Sequence, residues 1–316
     1  MNYILGFLIA FVIVYFSIPY LRRLALKIGF VDRPNERKIH SKPIPHLASI
    51  GMYAAFIFTY FVVARRFDKF SILLMVGSLL IIAIGLVDDL FKVKGKDFPA
   101  LPKLIVQVIA AVIAYKSGAV FNGFHNPFTN QDVVLPVWLQ CMLSILWIFG
   151  VTTVINFTDG MDGVAGGLSA ISASTLFVVA LAKNQPGSAI MSIIIVGITL
   201  GYLNYNKPPA KIFMGDAGAT FLGYMLGIIA LEGAFKQATI MSLFIPVLAL
   251  GVPIIDNIYV VIKRIREGKP VYEADRSQIH YRLLESGLSK KQVLAMLYLL
   301  SACLSLLSIV LLLLKI

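Results

Sequence analysis

Five aspartates and one asparagine stand at the ends of very apolar segments. They are Asp88 and Asp89 after Ile84-Gly-Leu-Val87, then Asn156, Asp159 and Asp162 in Asn156-Phe-Thr-Asp-Gly-Met-Asp-Gly163, then Asp216 in Phe213-Met-Gly-Asp216. A carboxylate next to lipid is costly, and such residues mark ion or substrate sites. Oxygen donors with no Cys/His cluster beside them favour Mg²⁺, with Mn²⁺ as second choice, over zinc. Mg²⁺ is usually held by one or two carboxylates together with substrate phosphates. Lys92, Lys38, His280 and Arg282 add basic groups of the kind that recognise phosphate. The chemistry this set suits is the binding of a diphosphate substrate together with a divalent metal.

Each group also has a plainer reading. Asp88 and Asp89 repel each other at the unfavourable end of a helix dipole, which a cation, a proton or simple solvation would relieve. Asn156, Asp159 and Asp162 are spaced by three, so one helical turn would present them on one face. Asp159 or Asp162 could instead cap the next helix, and Asp216 could cap the helix it opens. Phe213 suits stacking on a nucleobase or anchoring in the membrane. Asp256, within an apolar segment, is expected to pair with Lys263 or Arg264. His280, Arg282 and the basic residues Arg33, Arg37, Lys38, His40 and Lys42 serve either phosphate or lipid headgroups.

The elements that must position these groups are membrane helices. Of 316 residues, 59% are hydrophobic and only 14% charged, well below the charge of a soluble domain. Long continuous apolar runs exclude a β-barrel. The expected fold is all-α, a polytopic membrane protein of one domain, residues 1–316. Ten helices are expected at 2–22, 47–64, 70–87, 103–117, 137–155, 163–182, 188–204, 217–233, 239–262 and 291–314. The first reads as a retained helix and not as a signal peptide. Loops 23–46, 88–102, 156–162, 205–216 and 263–290 then share one side. That side, with its adjacent helix ends, carries 21 of the 28 Lys and Arg, against 7 on the other. The positive-inside rule makes it cytoplasmic and puts both termini outside. Every acidic motif above falls on it. The net charge of +12 is thus a statement about topology and not about nucleic acid. Cys141 and Cys303 read as buried structural thiols. Loop 118–136 reads as an ordinary connection.

Together, in their order and spacing, these motifs resemble the bacterial polyprenyl-phosphate N-acetylhexosamine-1-phosphate transferases. The resemblance covers nearly the whole chain. Lys38-Ile-His40 before Pro43-Ile-Pro45, and Ile279-His-Tyr-Arg-Leu-Leu284, place it with the branch that uses UDP-GlcNAc to begin teichoic acid, O-antigen or related glycans. The sister branch, phospho-MurNAc-pentapeptide transfer, shares the Asn156 to Gly163 pattern. An ion-coupled transporter is the alternative from another class. Two departures stand out. The family's last loop usually reads His-x-His-His-Arg, where this chain has Gln278-Ile-His-Tyr-Arg282. Gly-Gly usually follows the Pro-x-Pro segment, where Ala48-Ser49 stand here.

The resemblance implies transfer of a sugar-1-phosphate from a UDP-N-acetylhexosamine to undecaprenyl phosphate, with Mg²⁺ and release of UMP. It implies a bacterial inner-membrane enzyme whose site faces the cytoplasm, and it is compatible with a homodimer. It assigns catalytic roles to Asp88, Asp89, Asp159 and Asp162, and metal binding to Asp216 and Asp159. Substrate contacts fall to Lys38, Lys92, Asn156, Phe213 (on uracil), His280 and Arg282.

Overall fold

The computed structural model describes residues 2–32, 43–65, 67–126, 129, 131–234, 243–270 and 276–314. Lys38, expected to touch substrate, lies outside them, as do Arg33, Arg37, His40 and Lys42. In chain order the elements are α1 (Asn2–Ile28), β1 (Val31–Asp32), β2 (Ile44–Pro45), α2 (Ala48–Ala64), α3 (Lys69–Val93), α4 (Ala100–Ser117), β3 (Gly123–Asn126), β4 (Gln131–Val134), α5 (Val137–Thr158), α6 (Val164–Ala182), α7 (Pro186–Asn206), α8 (Gly215–Gly233), α9 (Phe244–Ala249), α10 (Gly251–Arg266), α11 (Ile279–Glu285) and α12 (Lys290–Leu313). Seven of these, α1, α3, α4, α5, α6, α7 and α12, are long and apolar enough to cross a membrane, and α2 is a shorter apolar helix. The protein is an all-α multi-pass membrane protein. Its only sheets among the described residues are two antiparallel ribbons, β1–β2 and β3–β4. The second ribbon falls in the segment expected to be a plain loop.

The bundle is organised around α8, which is buried along nearly its whole length and packs against α5, α3, α6, α2 and α7. The outer helices turn Ile4, Phe16, Phe58, Leu79 and Leu306 outward. Lipid tails are as apolar as these side chains, so burial does not drive the helices together. Close packing of small residues does. Gly197 and Gly201 on α7 let α1 approach until a Cβ at Gly197 would run into the Phe7 carbonyl. The same solvent logic corrects the cysteines: Cys303 is exposed on α12 and Cys141 only half-buried. An apolar thiol gains nothing from leaving a lipid-facing surface.

Two helix boundaries differ from expectation in ways that matter. α3 does not stop at Val87; it continues through Asp88 and Asp89 to Val93. Leu90, Phe91 and Val93 sustain the apolar pattern, and Lys92 in the last turn favours the negative end of the dipole. Asp88 and Lys92 therefore lie one turn apart on one face. The expected helix 239–262 appears, in its described part, as α9 and α10 broken at Leu250. Pro253 has no N–H to give and its ring crowds the Ala249 carbonyl. That carbonyl instead accepts from Ser172 Oγ at 2.6 Å.

Five loops meet at one end of the bundle, and named contacts join them. Phe213 N–H donates to the Pro45 carbonyl at 2.8 Å. Lys92 pairs with Asp216, and Lys290 lies 3.7 Å from Asp162. His280 packs against Gly160. These are the five loops that the expected alternation of helices put on a single side.

Candidate active site

Lys103, in the first turns of α4, sits at the centre of this end. Its Nζ donates to Asp88 Oδ2 at 2.7 Å, to Asp216 Oδ2, and to Asn156 Oδ1 at 3.4 Å. Lys92 Nζ donates to Asp216 Oδ1 at 2.6 Å and lies 3.5 Å from Asp88 Oδ2. Two carboxylates and two ammonium groups thus form a compact neutral cluster, drawn from α3, α4 and α8. Asp88 is buried, and a buried carboxylate is tolerated only when paired. In the sequence Lys103 looks like one more lysine on the side rich in Lys and Arg. A signal was present: a cation early in a helix opposes the macrodipole and needs a carboxylate to hold it there.

Three oxygens from three helices already converge on one cation, the Lys103 ammonium. All are hard donors, so Asp88, Asp216 and Asn156 fit a Mg²⁺ ion arriving with a diphosphate. Among the described residues no group of three His, Cys, Asp or Glu would hold a metal without such help.

Asp89 faces away from Lys103. It is fully buried, and its two oxygens accept from the N–H groups of Asp216 at 2.8 Å and Ala217 at 3.2 Å. Asp89 therefore supplies the cap that α8 lacks locally, since Met214 at its N-cap makes no side-chain bond. Asp216 is then free of capping duty, and its carboxylate points to the lysines. His46 lies between Asp89, 3.7 Å from Nδ1, and Asp32, 3.9 Å from Nε2. Burial lowers the His46 pKa while Asp89 raises it, and the balance lies above the usual imidazole value. The Phe213 ring is half-buried and meets His46 edge-on at 5.5 Å.

The expected single helical face for Asn156, Asp159 and Asp162 does not form. α5 ends at Thr158, and 159–163 is a turn closed by Gly163 at φ 83°. A left-handed residue there is cheap only for glycine. The three groups consequently diverge. Asn156 reaches Lys103. Burial and the charge of Asp216 push the Asp159 carboxyl up to about 7. Asp162 Oδ2 accepts from Ala210 N–H at 3.2 Å. Neither aspartate caps α6, whose N-cap is Gly163 without a side-chain bond.

His280 and Arg282 are placed differently from what substrate contact would ask. His280 is fully buried, and neither ring nitrogen has a hydrogen-bond partner among the described residues. A Cβ on Gly160 would stand well inside van der Waals contact of its Nε2. Gly160→Ala is expected to push α11 off the 159–163 turn at about 1–3 kcal/mol, read as a lower Tm and reduced turnover. Burial also pushes the His280 imidazole down to about 4, against about 6.5 in the unfolded chain. Between these values the unfolded chain binds a proton that the folded protein refuses. Stability is therefore lost as pH falls through that window, by about 2 kcal/mol at pH 5. Thermal unfolding at pH 7 and pH 5 checks this, and the difference should shrink in His280→Leu.

Arg282 is occupied by Asp256 at 3.2 Å and stacks over Tyr259, 3.9 Å from the ring centroid. Asp256 also accepts from Ile279 N–H at 2.8 Å. This corrects its expected pairing with Lys263 or Arg264. The partner comes from the next loop because Asp256 faces α11, not along its own helix.

Residues 71–234 match the family model described as glycosyl transferase family 4. The chain is 35% identical to the probable undecaprenyl-phosphate N-acetylglucosaminyl 1-phosphate transferase of Bacillus subtilis, over 98% of this chain and 84% of that protein. The chain belongs to glycosyl transferase family 4. It is also 31% identical to the decaprenyl-phosphate N-acetylglucosaminephosphotransferase of Mycolicibacterium smegmatis, over 92% of this chain and 78% of that protein. With the undecaprenyl-phosphate alpha-N-acetylglucosaminyl 1-phosphate transferase of Escherichia coli it shares 27% identity, over 90% and 77%. The family 4 match runs from the start of α3 to the end of α8. It therefore contains the whole Lys103 cluster, whereas His46 and His280 fall outside it.

Proposed function

We propose that this chain transfers GlcNAc-1-phosphate from UDP-GlcNAc to undecaprenyl phosphate at the cytoplasmic membrane face, releasing UMP. The observation that carries the reading is the neutral cluster of Asp88, Lys92, Lys103, Asn156 and Asp216 at one end of an apolar bundle. The names of the relatives supply the sugar and the lipid. They favour this reading over MurNAc-pentapeptide transfer, which none of the three names mentions. A transporter site belongs near the bilayer midplane, whereas these acids gather at one end. With ten crossings, as the apolar runs suggest, the Lys and Arg count favours a cytoplasmic site and both termini outside.

In the proposed reaction an oxygen of the lipid phosphate attacks the β-phosphorus of the UDP-sugar. The new P–O bond forms as the bond to the UMP oxygen breaks. A phosphate monoester is mostly dianionic at neutral pH, so Asp88 need not act as a strong base. Lys92 and Lys103 shield the approach of two anions, and Asp88 and Asp216 fix where those ammonium groups sit. Asp216 and Asp88, with Asn156 and with Asp159 nearby, would hold Mg²⁺, which when bound offsets charge on the diphosphate. Asp89 holds Asp216 in place through the start of α8. Phe213 offers a ring for uracil. The test is UMP release from UDP-GlcNAc, undecaprenyl phosphate and Mg²⁺ by the purified protein, run beside UDP-GalNAc and UDP-MurNAc-pentapeptide. No release from UDP-GlcNAc, or equal release without the lipid, would reject the reading.

A further inference from the structure

α7 ends beside the site, and Asn206 in its last turn is only 2% exposed. Its Oδ1 accepts from Gly163 N–H at 2.9 Å, and its Nδ2 donates to the Ile212 carbonyl at 3.0 Å. The two bonds end in different loops. Gly163 closes the turn that carries Asp159 and Asp162. Ile212 begins the short run that delivers Phe213 and Asp216. The other side of Gly163 is also held, because its carbonyl accepts from Tyr298 Oη of α12 at 2.6 Å. One turn back on the same face of α7, Tyr202 Oη accepts from Met214 N–H at 2.9 Å. A primary amide suits this place because it offers an acceptor and a donor together. An aspartate would keep the first bond and set a carboxylate against the Ile212 carbonyl.

We propose that Asn206 is a positioning residue for the transfer, fixing the separation between the turn that carries Asp159 and Asp162 and the run that presents Phe213 and Asp216 to the UDP-sugar. This rests on the transferase reading above. Asn206 touches no reacting atom and acts through Gly163 and Ile212. The acceptor side is anchored separately, through Asp88 on α3 and the two ammonium groups beside it, Lys103 at 2.7 Å and Lys92 at 3.5 Å, none of which bonds to Asn206 or its partners. Loosening Asn206 therefore displaces the sugar nucleotide and leaves the lipid phosphate where it was.

The experiment measures UMP release by full-length Asn206→Ala, Asn206→Asp and Tyr298→Phe proteins, varying each substrate with the other saturating. For Asn206→Ala, kcat/KM for UDP-GlcNAc should fall about 10- to 100-fold, the scale of a small misplacement. KM for undecaprenyl phosphate should stay within about two-fold. Asn206→Asp, with a buried carboxylate against the Ile212 carbonyl, should lose at least as much as Asn206→Ala. Tyr298→Phe removes one hydroxyl from the other side of Gly163 and should lose about three- to ten-fold, with the lipid KM again unmoved. Combined with Asn206→Ala it should lose less than the product of the two, since both act on one peptide. Equal losses for both substrates, a multiplicative double variant, or losses that follow only the folded fraction would overturn the inference. If Asn206→Ala does not fold, Tyr298→Phe decides by the same substrate split. Wild-type protein that releases no UMP rejects the transferase reading and the inference with it. An active wild type with any of the contrary outcomes rejects the inference alone.

Discussion

Lys103→Met is expected to lower turnover by about 10²- to 10³-fold, the cost of removing one preorganised charge from a transferring phosphoryl group. Methionine keeps much of the stem's apolar packing and removes only the ammonium. Asp88 and Asp216 then face each other with Lys92 alone between them, and Lys92 reaches Asp88 only at 3.5 Å. A buried carboxylate that loses its partner costs about 3–5 kcal/mol unless a proton or cation replaces it. The variant should therefore need less Mg²⁺ for half-maximal rate even as that rate falls. Lys103→Arg should recover little, because a planar fork cannot fill the place of a compact ammonium among three oxygens. Initial rates of UMP release across a Mg²⁺ titration check both parts. Near-wild-type rates would move the centre of the site away from Lys103.

The acids were legible in the sequence and Lys103 was not, for one physical reason. A carboxylate beside an apolar run is expensive and stands out, while a lysine at a helix end on the side rich in Lys and Arg is what the positive-inside rule already expects. Its role appears only when α4 is folded against α3 and α8. The alternation of apolar helices read the common side of five loops, because it depends on composition and not on contacts. The spacing of Asn156, Asp159 and Asp162 misled, because it assumed helix where Gly160 and Gly163 turn the chain. Asp89 misled in another way. Next to Asp88 it looks like its equal, but successive helical residues point about 100° apart, and Asp89 spends its oxygens on α8. The break at Leu250 was readable from Pro253, since a proline within a helix forfeits a bond one turn back. What filled the vacated bond, Ser172, lies 77 residues earlier in the chain and no local pattern announces it.

Asp216→Asn should be the most damaging single change, about 10³-fold or more in turnover, beyond the loss of one preorganised donor. Asp216 makes short bonds to both lysines, whereas Asp88 makes one. Asparagine leaves Lys92 and Lys103 sharing Asp88, and the cluster moves from neutral to a net charge of +1. That charge opposes a divalent cation at the place where Asp216 would hold it, so raising Mg²⁺ should restore little. Asp88→Asn gives the same net charge but keeps Asp216, so its rate should respond more to added Mg²⁺. Asp89→Asn separates capping from chemistry. Its amide can accept one of the two N–H groups and sets a donor against the other, which should lower Tm by several degrees at about 1–3 kcal/mol for the unsatisfied group. Turnover per folded molecule should then fall less than in Asp216→Asn. Equal per-molecule losses in the two variants would return Asp89 to the chemistry, and an active Asp216→Asn protein, correctly inserted, would remove Asp216 from it.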